Sequence, residues 1–575
     1  MSPSADMPPS TNGHGSNGIN GTNGHDARSP YTISETLLGS RRPIKVIVVG
    51  FGMSGIHLSY ILGKQLKNTN ITLQFYERNP ELGGTWFENR YPGCACDIPS
   101  VNYQFSWAPS MEWSGYYASH SEILAYLKNV VAEHNLDNCL KLNHKVTGAF
   151  WEADNGRWRV RVEPNGDPAA EFDDYAEIVI NATGILNHWK WPDIAGLEKF
   201  KNRVHTAAWD DSIVLKDKRV GVIGNGSSSV QVVSAICDEV EHIETFVRSS
   251  MWVTPPWAFQ HAENNTDMKY SEEQKKFFRE NPDEYLAYRK RVEREMNPNF
   301  DTCITGTEIQ VARQEYASKA MHAALQKKPE LIEKLIPTTY GIGCRRPVPD
   351  NGYLKAITSD KCDVIFTPIS EITEEGIITE DSVEHKFDVL VCGTGFDATY
   401  KPRFPVVGQN GLDMREAFSE LPDCYLSTMV PEFPNYMMIL GPYAPHGHGS
   451  VVPFIEAATR NIAMVLEKFQ TQNIKSLAPK KEAADDWKEH RQEFMKRTIW
   501  SAPCRTWFKL GPKGDDVMMW PGSRLHSFHA MLNPRWEDYN WEYLGRNRFS
   551  YFGNGFTVMD REEESLDKAW YIAGI

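Results

Sequence analysis

Ile44-Lys-Val-Ile-Val-Val-Gly50-Phe-Gly52-Met-Ser-Gly55 decides the fold. The first six residues are almost wholly apolar and β-branched, the composition of a buried parallel strand. They run straight into glycines spaced G-x-G-x-x-G, an amphipathic helix to about Leu66, and a second strand, Ile71–Tyr76, that ends on Glu77. That is the complete strand–turn–helix–strand–acid unit of a dinucleotide site. Gly50 permits the tight turn, Gly52 lets backbone approach a pyrophosphate, and Gly55 allows close helix–strand packing. The helix N-terminus presents N–H groups and positive dipole to the phosphates. Glu77, 22 residues beyond Gly55, is placed to accept from ribose hydroxyls.

The pattern recurs. Arg219–Ile223 is a second apolar strand, followed by Gly224-Asn-Gly226-Ser227-Ser228-Ser229 and a helix to about Cys237. The next strand, Ile243–Val247, ends on Arg248 where the first unit ends on Glu77. An acid suits a free ribose 2′-hydroxyl and an arginine a 2′-phosphate. The expectation is FAD at Gly50 and NADPH at Gly224, hence hydride passing from NADPH to a flavin. Asn181–Gly184 and Cys392–Asp397 are further glycine turns after apolar strands, read as the points where the chain crosses between the two units.

The fold class that follows is α/β, with two Rossmann-like dinucleotide-binding domains and a helical insertion. Residues 1–38 are expected to form a disordered tail, of which 1–30, rich in Ser, Gly and Asn, have little to bury. The FAD domain occupies 39–188 and 391–575, the latter including C-terminal loops; the NADPH domain occupies 189–260 and 338–390. The Glu/Lys/Gln/Met-rich stretch 261–337 is a helical insertion expected to cap the second domain. A long helix is expected over Val452–Gln470, and loops and short strands from about Ser501.

Composition narrows the function. Hydrophobic residues make up 41% and charged residues 24%, ordinary for a globular chain. A net charge of −14 offers no footprint for nucleic acid. No run of 18 apolar residues spans a bilayer and no signal peptide is evident, so a cytoplasmic protein is expected. The ten cysteines are scattered and are read as reduced structural thiols. The Cys94-x-Cys96 pair matches neither a zinc set nor a CxxC redox pair. No CxxxxC dithiol supports a disulfide reductase. His446 and His448, in a Gly/Pro loop, are assigned no metal.

Gly83-Gly84-Thr85-Trp86-Phe-Glu-Asn-Arg-Tyr91-Pro-Gly93-Cys-Ala-Cys-Asp97 matches the G-G-x-W…[FY]-P-G-x-x-x-D fingerprint of type I Baeyer–Villiger monooxygenases. From about residue 40 onward the chain resembles these FAD- and NADPH-dependent enzymes, and Arg345-Arg346-Pro347 resembles their basic pair. Trp520–Ser523 and Cys504–Lys509 resemble the C-terminal region of fungal members. The second family fingerprint, F-x-G-x-x-x-H-x-x-x-W, is altered here. Phe200, His205, Trp209 and Asp210 are kept, but Asn202 replaces the glycine and one residue is missing before the histidine.

The resemblance implies oxygen insertion next to a ketone carbonyl through a C4a-peroxyflavin, giving an ester or lactone. Arg346 is then the fixed cation beside the flavin and Asp97 the carboxylate that orients it. Gly84, Thr85, Trp86, Asp97 and Tyr103 join Gly50, Gly52, Gly55 and Glu77 around the flavin. Gly224, Gly226, Ser227, Ser228, Arg248 and Arg345 hold NADPH, the two arginines sharing the 2′-phosphate. His205 is read as orienting the interdomain linker, and Trp507 as lining the substrate mouth. The substrate implied is a bulky polyketide or terpenoid ketone of secondary metabolism, with O2 as co-substrate. The altered fingerprint leaves N- or S-oxygenation or hydroxylation open; a non-catalytic nucleotide-binding protein is the reading from a different class.

Overall fold

A computed structural model describes residues 31–66, 70–255, 269–511, 514, 516–561 and 567–573. The tail at 1–30 lies outside the described residues. Its expected extension to residue 38 is corrected, because Leu38 donates to Phe556 O at 2.8 Å and accepts from Val558 N at 3.0 Å.

Two five-stranded parallel sheets repeat the same arrangement of four strands and differ in the fifth, which is the last strand in chain order in one sheet and the first in the other. In the first, Ile44–Val49 is central, flanked by Ile71–Tyr76 and Ile178–Asn181, with Leu140–Lys141 and Tyr436–Met438 at the edges. In the second, Arg219–Ile223 is central, flanked by His242–Phe246 and Val389–Cys392, with Cys362–Ile365 and Arg203–His205 at the edges. The central strands are buried along almost their whole length, as their near-continuous apolar runs require.

Each glycine turn lies against a crossing. Gly50 has φ +102° and Gly224 has φ +116°; a Cβ on either would stand 2.8 Å from Ala182 O or 2.6 Å from Gly393 O. Backbone hydrogen bonds repeat too: Ala182 N donates to Val49 O and Gly393 N to Ile223 O, both at 2.9 Å. The two late glycine turns are thus where the chain leaves each sheet, closing tightly on the nucleotide turn of that sheet.

The insertion corrects one expectation. Tyr285, Tyr288, Val292 and Met296 of the Pro282–Met296 helix are buried in the core of the first domain. Ala317 and Met321 of the Glu308–Ala324 helix, with Leu325, Leu331 and Leu335, are buried in the second. The insertion therefore bridges both domains instead of capping one. The C-terminal region also carries more regular structure than expected, with a helix over Arg524–Leu532 and a strand over Tyr539–Tyr543 paired to Ile474–Pro479. The long helix spans Val452–Thr471. Among the described residues no helix is long and apolar enough to cross a membrane.

The cysteine expectation is corrected as well. Cys344 and Cys504, 160 residues apart in sequence, form a disulfide. Tertiary packing brings them together: Trp500 Nε1 donates to Gly343 O at 3.1 Å, and a Cβ on Gly343 would stand 2.6 Å from Ile499 Cδ1. The other eight cysteines are free, and all but Cys139 are buried. Titration of the denatured, unreduced chain should therefore count eight thiols, rising to ten after reduction. Ten thiols before reduction would contradict the disulfide.

Candidate functional site

Both nucleotide helices begin on a glycine. Gly52 precedes Met53–Tyr60 and Gly226 precedes Ser227–Ile236, and neither start has a side-chain cap. Elsewhere Ser119, Ser271 and Thr307 cap their helices through side-chain oxygens. An uncapped first turn leaves N–H groups for an anion. Gly52 faces Gly84 backbone to backbone: a Cβ on Gly52 would stand 3.5 Å from Gly84 Cα, and one on Gly84 3.2 Å from Gly52 Cα. Any side chain there would fill the cleft, so the arrangement fits the pyrophosphate of a dinucleotide. Nothing lies within 4 Å of a Cβ on Gly226, so the second turn is open.

Glu77 is buried at the end of its strand. Its carboxylate accepts from Phe51 N at 2.8 Å and from Asn79 N at 2.9 Å, which holds the first glycine turn closed. Burial pushes its pKa up against the pull of those N–H groups. Arg248 is exposed at the end of the corresponding second-domain strand. Arg345 reaches the same segment, donating to Ser249 Oγ at 2.7 Å and Ser250 O at 2.8 Å. Asn225, inside the glycine turn, donates to Ser249 O at 2.6 Å. The structure thus gathers Arg248 and Arg345 beside the second turn. Ser229, in the place of the third glycine, is buried against Gly393.

Asp97 and Arg346 form a two-point ion pair. Arg346 Nε donates to Asp97 Oδ2 at 2.7 Å and Nη2 to Asp97 Oδ1 at 2.6 Å. The side chains are 38% and 19% exposed, so the pair is anchored yet reachable. The Asp97 charge raises the Arg346 pKa beyond its already high ordinary value, overcoming desolvation. The guanidinium is therefore a permanent cation with its planar fork fixed. Tyr103 and Cys96 lie close enough to feel the pair, and burial holds both well above their usual pKa. The Trp86 ring meets Tyr103 edge-on at 5.5 Å. Thr85 opens the short helix Thr85–Glu88 that carries Trp86. Trp507 packs on Phe508 at 4.3 Å, beside a cluster with Cys303, Met495, Ile499 and Trp500. The disulfide fastens its loop two residues before Arg346.

Residues 43–321 match the family model described as "FMO-like: Flavin-binding monooxygenase-like". FAD-binding monooxygenase stcW of Emericella nidulans is 36% identical over 554 residues, covering 92% of this chain and 90% of that protein. The chain belongs to the flavin-binding monooxygenases. FAD-binding monooxygenase moxY of Dothistroma septosporum is 34% identical, covering 93% and 87%. Among solved structures, cyclohexanone monooxygenase from Rhodococcus sp. Phi1 bound to NADP+ superposes with a TM-score of 0.73 at 26% identity, covering 88% of this chain and all of that one.

In this flavin-binding monooxygenase the altered fingerprint serves the second sheet. Asn202 accepts from Leu390 N at 3.0 Å and its side-chain amide donates to Asp388 O at 2.6 Å. His205 is buried, stacks on Trp189 at 4.7 Å and accepts from Ala207 N. His446 bonds Ser527 Oγ at 2.9 Å, and among the described residues no group of three His, Cys, Asp or Glu could hold a metal. Two features escaped sequence reasoning: the disulfide, and Gln231, whose side chain enters the Tyr91–Asp97 loop. The signal for Gln231 was its place one turn after Ser228, facing the same way.

Burial lowers His205 from 6.5 to about 4. Between those values the unfolded chain binds a proton that the folded chain refuses, so stability falls as pH drops through this window. For His205 the full loss is about 3 kcal/mol. His205→Phe, which keeps the ring stack, should flatten the decline in thermal midpoint between pH 7 and pH 5. An identical decline in the variant would show that His205 carries none of it.

Proposed function

We propose that the chain is an FAD- and NADPH-dependent Baeyer–Villiger monooxygenase. It inserts one atom of O2 next to a ketone carbonyl to give an ester or lactone. The other oxygen atom leaves as water, with two electrons from NADPH and two protons. The observation that carries this reading is the Asp97–Arg346 fork, in a chain that holds both an FAD-type and an NADP-type glycine turn. The NADP+-bound cyclohexanone monooxygenase relative supports both the second nucleotide and the ketone chemistry.

When bound and reduced, the flavin supplies the activation of oxygen. The chain's own residues do the rest. The Gly50–Gly55 turn and Gly84 receive the FAD pyrophosphate, Glu77 fixes the turn, and Thr85, Trp86 and Tyr103 line the approach to the fork. Gly224, Gly226, Ser227 and Ser228 receive the NADPH pyrophosphate, and Arg248 and Arg345 its 2′-phosphate. Arg346 sets a permanent positive charge where negative charge grows on oxygen as the carbonyl is attacked, so it favours the transition state over the ground state. Asp97 keeps that charge aimed. Trp507, fastened near Arg346 by the disulfide, borders the substrate entrance. The resemblance of the C-terminal region to fungal members supports a bulky polyketide or terpenoid ketone as substrate. Asn202 bonds to the Asp388–Leu390 segment of the second sheet, so the altered fingerprint gives no specific support to N- or S-oxygenation.

A ketone panel incubated with the FAD-loaded protein, NADPH and 18O2 should give products heavier by one labelled oxygen, held as the ring or bridging oxygen of an ester. Label found only as a hydroxyl, N-oxide or sulfoxide would contradict the proposal.

A further inference from the structure

Tyr91 and Gln231 join the two domains by contacts outside the ion pair. The Tyr91 hydroxyl donates to Gln231 Oε1 at 2.8 Å, and Gln231 Nε2 donates to Ala95 O at 3.0 Å. Both side chains are buried. Gly93 lies between them, so close that a Cβ there would stand 2.6 Å from Gln231 O and 2.9 Å from Ala235 Cβ. Ser228 and Gln231 are i and i+3 on the Ser227–Ile236 helix and share a face. Ala95 is two residues before Asp97, whose carboxylate holds the Arg346 fork.

We propose that Tyr91 and Gln231 are positioning residues through which the nucleotide turn at Gly224–Ser229 sets the place of Asp97, and so the aim of Arg346. An anion seated on the first turn of this helix fixes Ser228 and, one rigid turn later, Gln231. The buried amide has one partner for its oxygen and one for its nitrogen, so a shift of the helix is passed to the Tyr91–Ala95 backbone instead of being absorbed by solvent. Such coupling is reciprocal: if nucleotide binding orders Asp97, disturbing Asp97 weakens nucleotide binding by the same factor. The inference rests on the reading that the second turn holds NADPH, but not on the fate of the oxygen.

The test is a double-mutant cycle on NADP+ affinity, read by calorimetry on the oxidised, FAD-loaded protein, with no ketone present. Tyr91→Phe and Asp97→Ala are each expected to weaken NADP+ binding by about fivefold or more. The double variant should bind no more weakly than the weaker single variant, because both break one path. Gln231→Glu, which keeps the acceptor for Tyr91 and loses the donor to Ala95, should reproduce Tyr91→Phe if that variant folds poorly. Multiplied effects in the double variant would overturn the proposal. So would a Tyr91→Phe protein of lowered thermal midpoint but unchanged NADP+ affinity. A parent that binds FAD but no NADP+ would sink the nucleotide reading, and this proposal with it.

Discussion

Asp97 and Arg346 are 249 residues apart in the chain, and their two-point pair is the contact on which the site depends. Asp97 ends a loop that starts at Gly83, pressed against the first nucleotide turn. Arg346 follows the helical insertion and is preceded by Arg345, which bonds the segment beside the second turn. A guanidinium cannot lose its charge near neutrality, so the only freedom left to the fold is where to aim it. A single carboxylate gripping two nitrogens of one guanidinium edge removes that freedom. The pair also constrains the domains, because any relative movement must stretch it, bend its loops or break it.

The surrounding structure is built to resist that movement. The insertion buries one helix in each domain core, so it acts as a brace across the cleft. Glu293, on the brace, accepts from Asn102 Nδ2 at 2.6 Å, next to Tyr103, and also pairs with the buried Arg524. The Cys344–Cys504 disulfide pins the C-terminal loop to the turn carrying Arg346. These contacts tie the insertion and the C-terminal region to the segments that carry Asp97 and Arg346.

The sheets were legible because parallel strands covered on both faces leave unbroken apolar runs, and because glycine spacing reflects backbone contacts that other residues would obstruct. Ile44–Val49 and Arg219–Ile223 emerge with their expected bounds. The Asp97–Arg346 pairing was legible only through resemblance, since nothing local to either residue names the other. An amphipathic helix announces an apolar face but not which core covers it, and the apolar face of Pro282–Met296 is covered by the first domain, not the second. Cys344 and Cys504 gave no sign of each other, because a bond that closes a long loop is set by tertiary packing. Nothing in the helix sequence names the partner of Gln231, which is the Tyr91–Gly93 turn packed on it from the other domain.

The central claim is that Arg346 directs oxygen into product. The most direct measurement is hydrogen peroxide released per NADPH consumed by Arg346→Ala, with an accepted ketone at saturation and FAD content matched to the parent. Loss of a preorganised charge of this kind slows its step by about a hundred- to a thousandfold. NADPH consumption should therefore persist, with nearly every equivalent appearing as peroxide and almost none as ester. Ester formed at the parent's yield per NADPH would contradict the account.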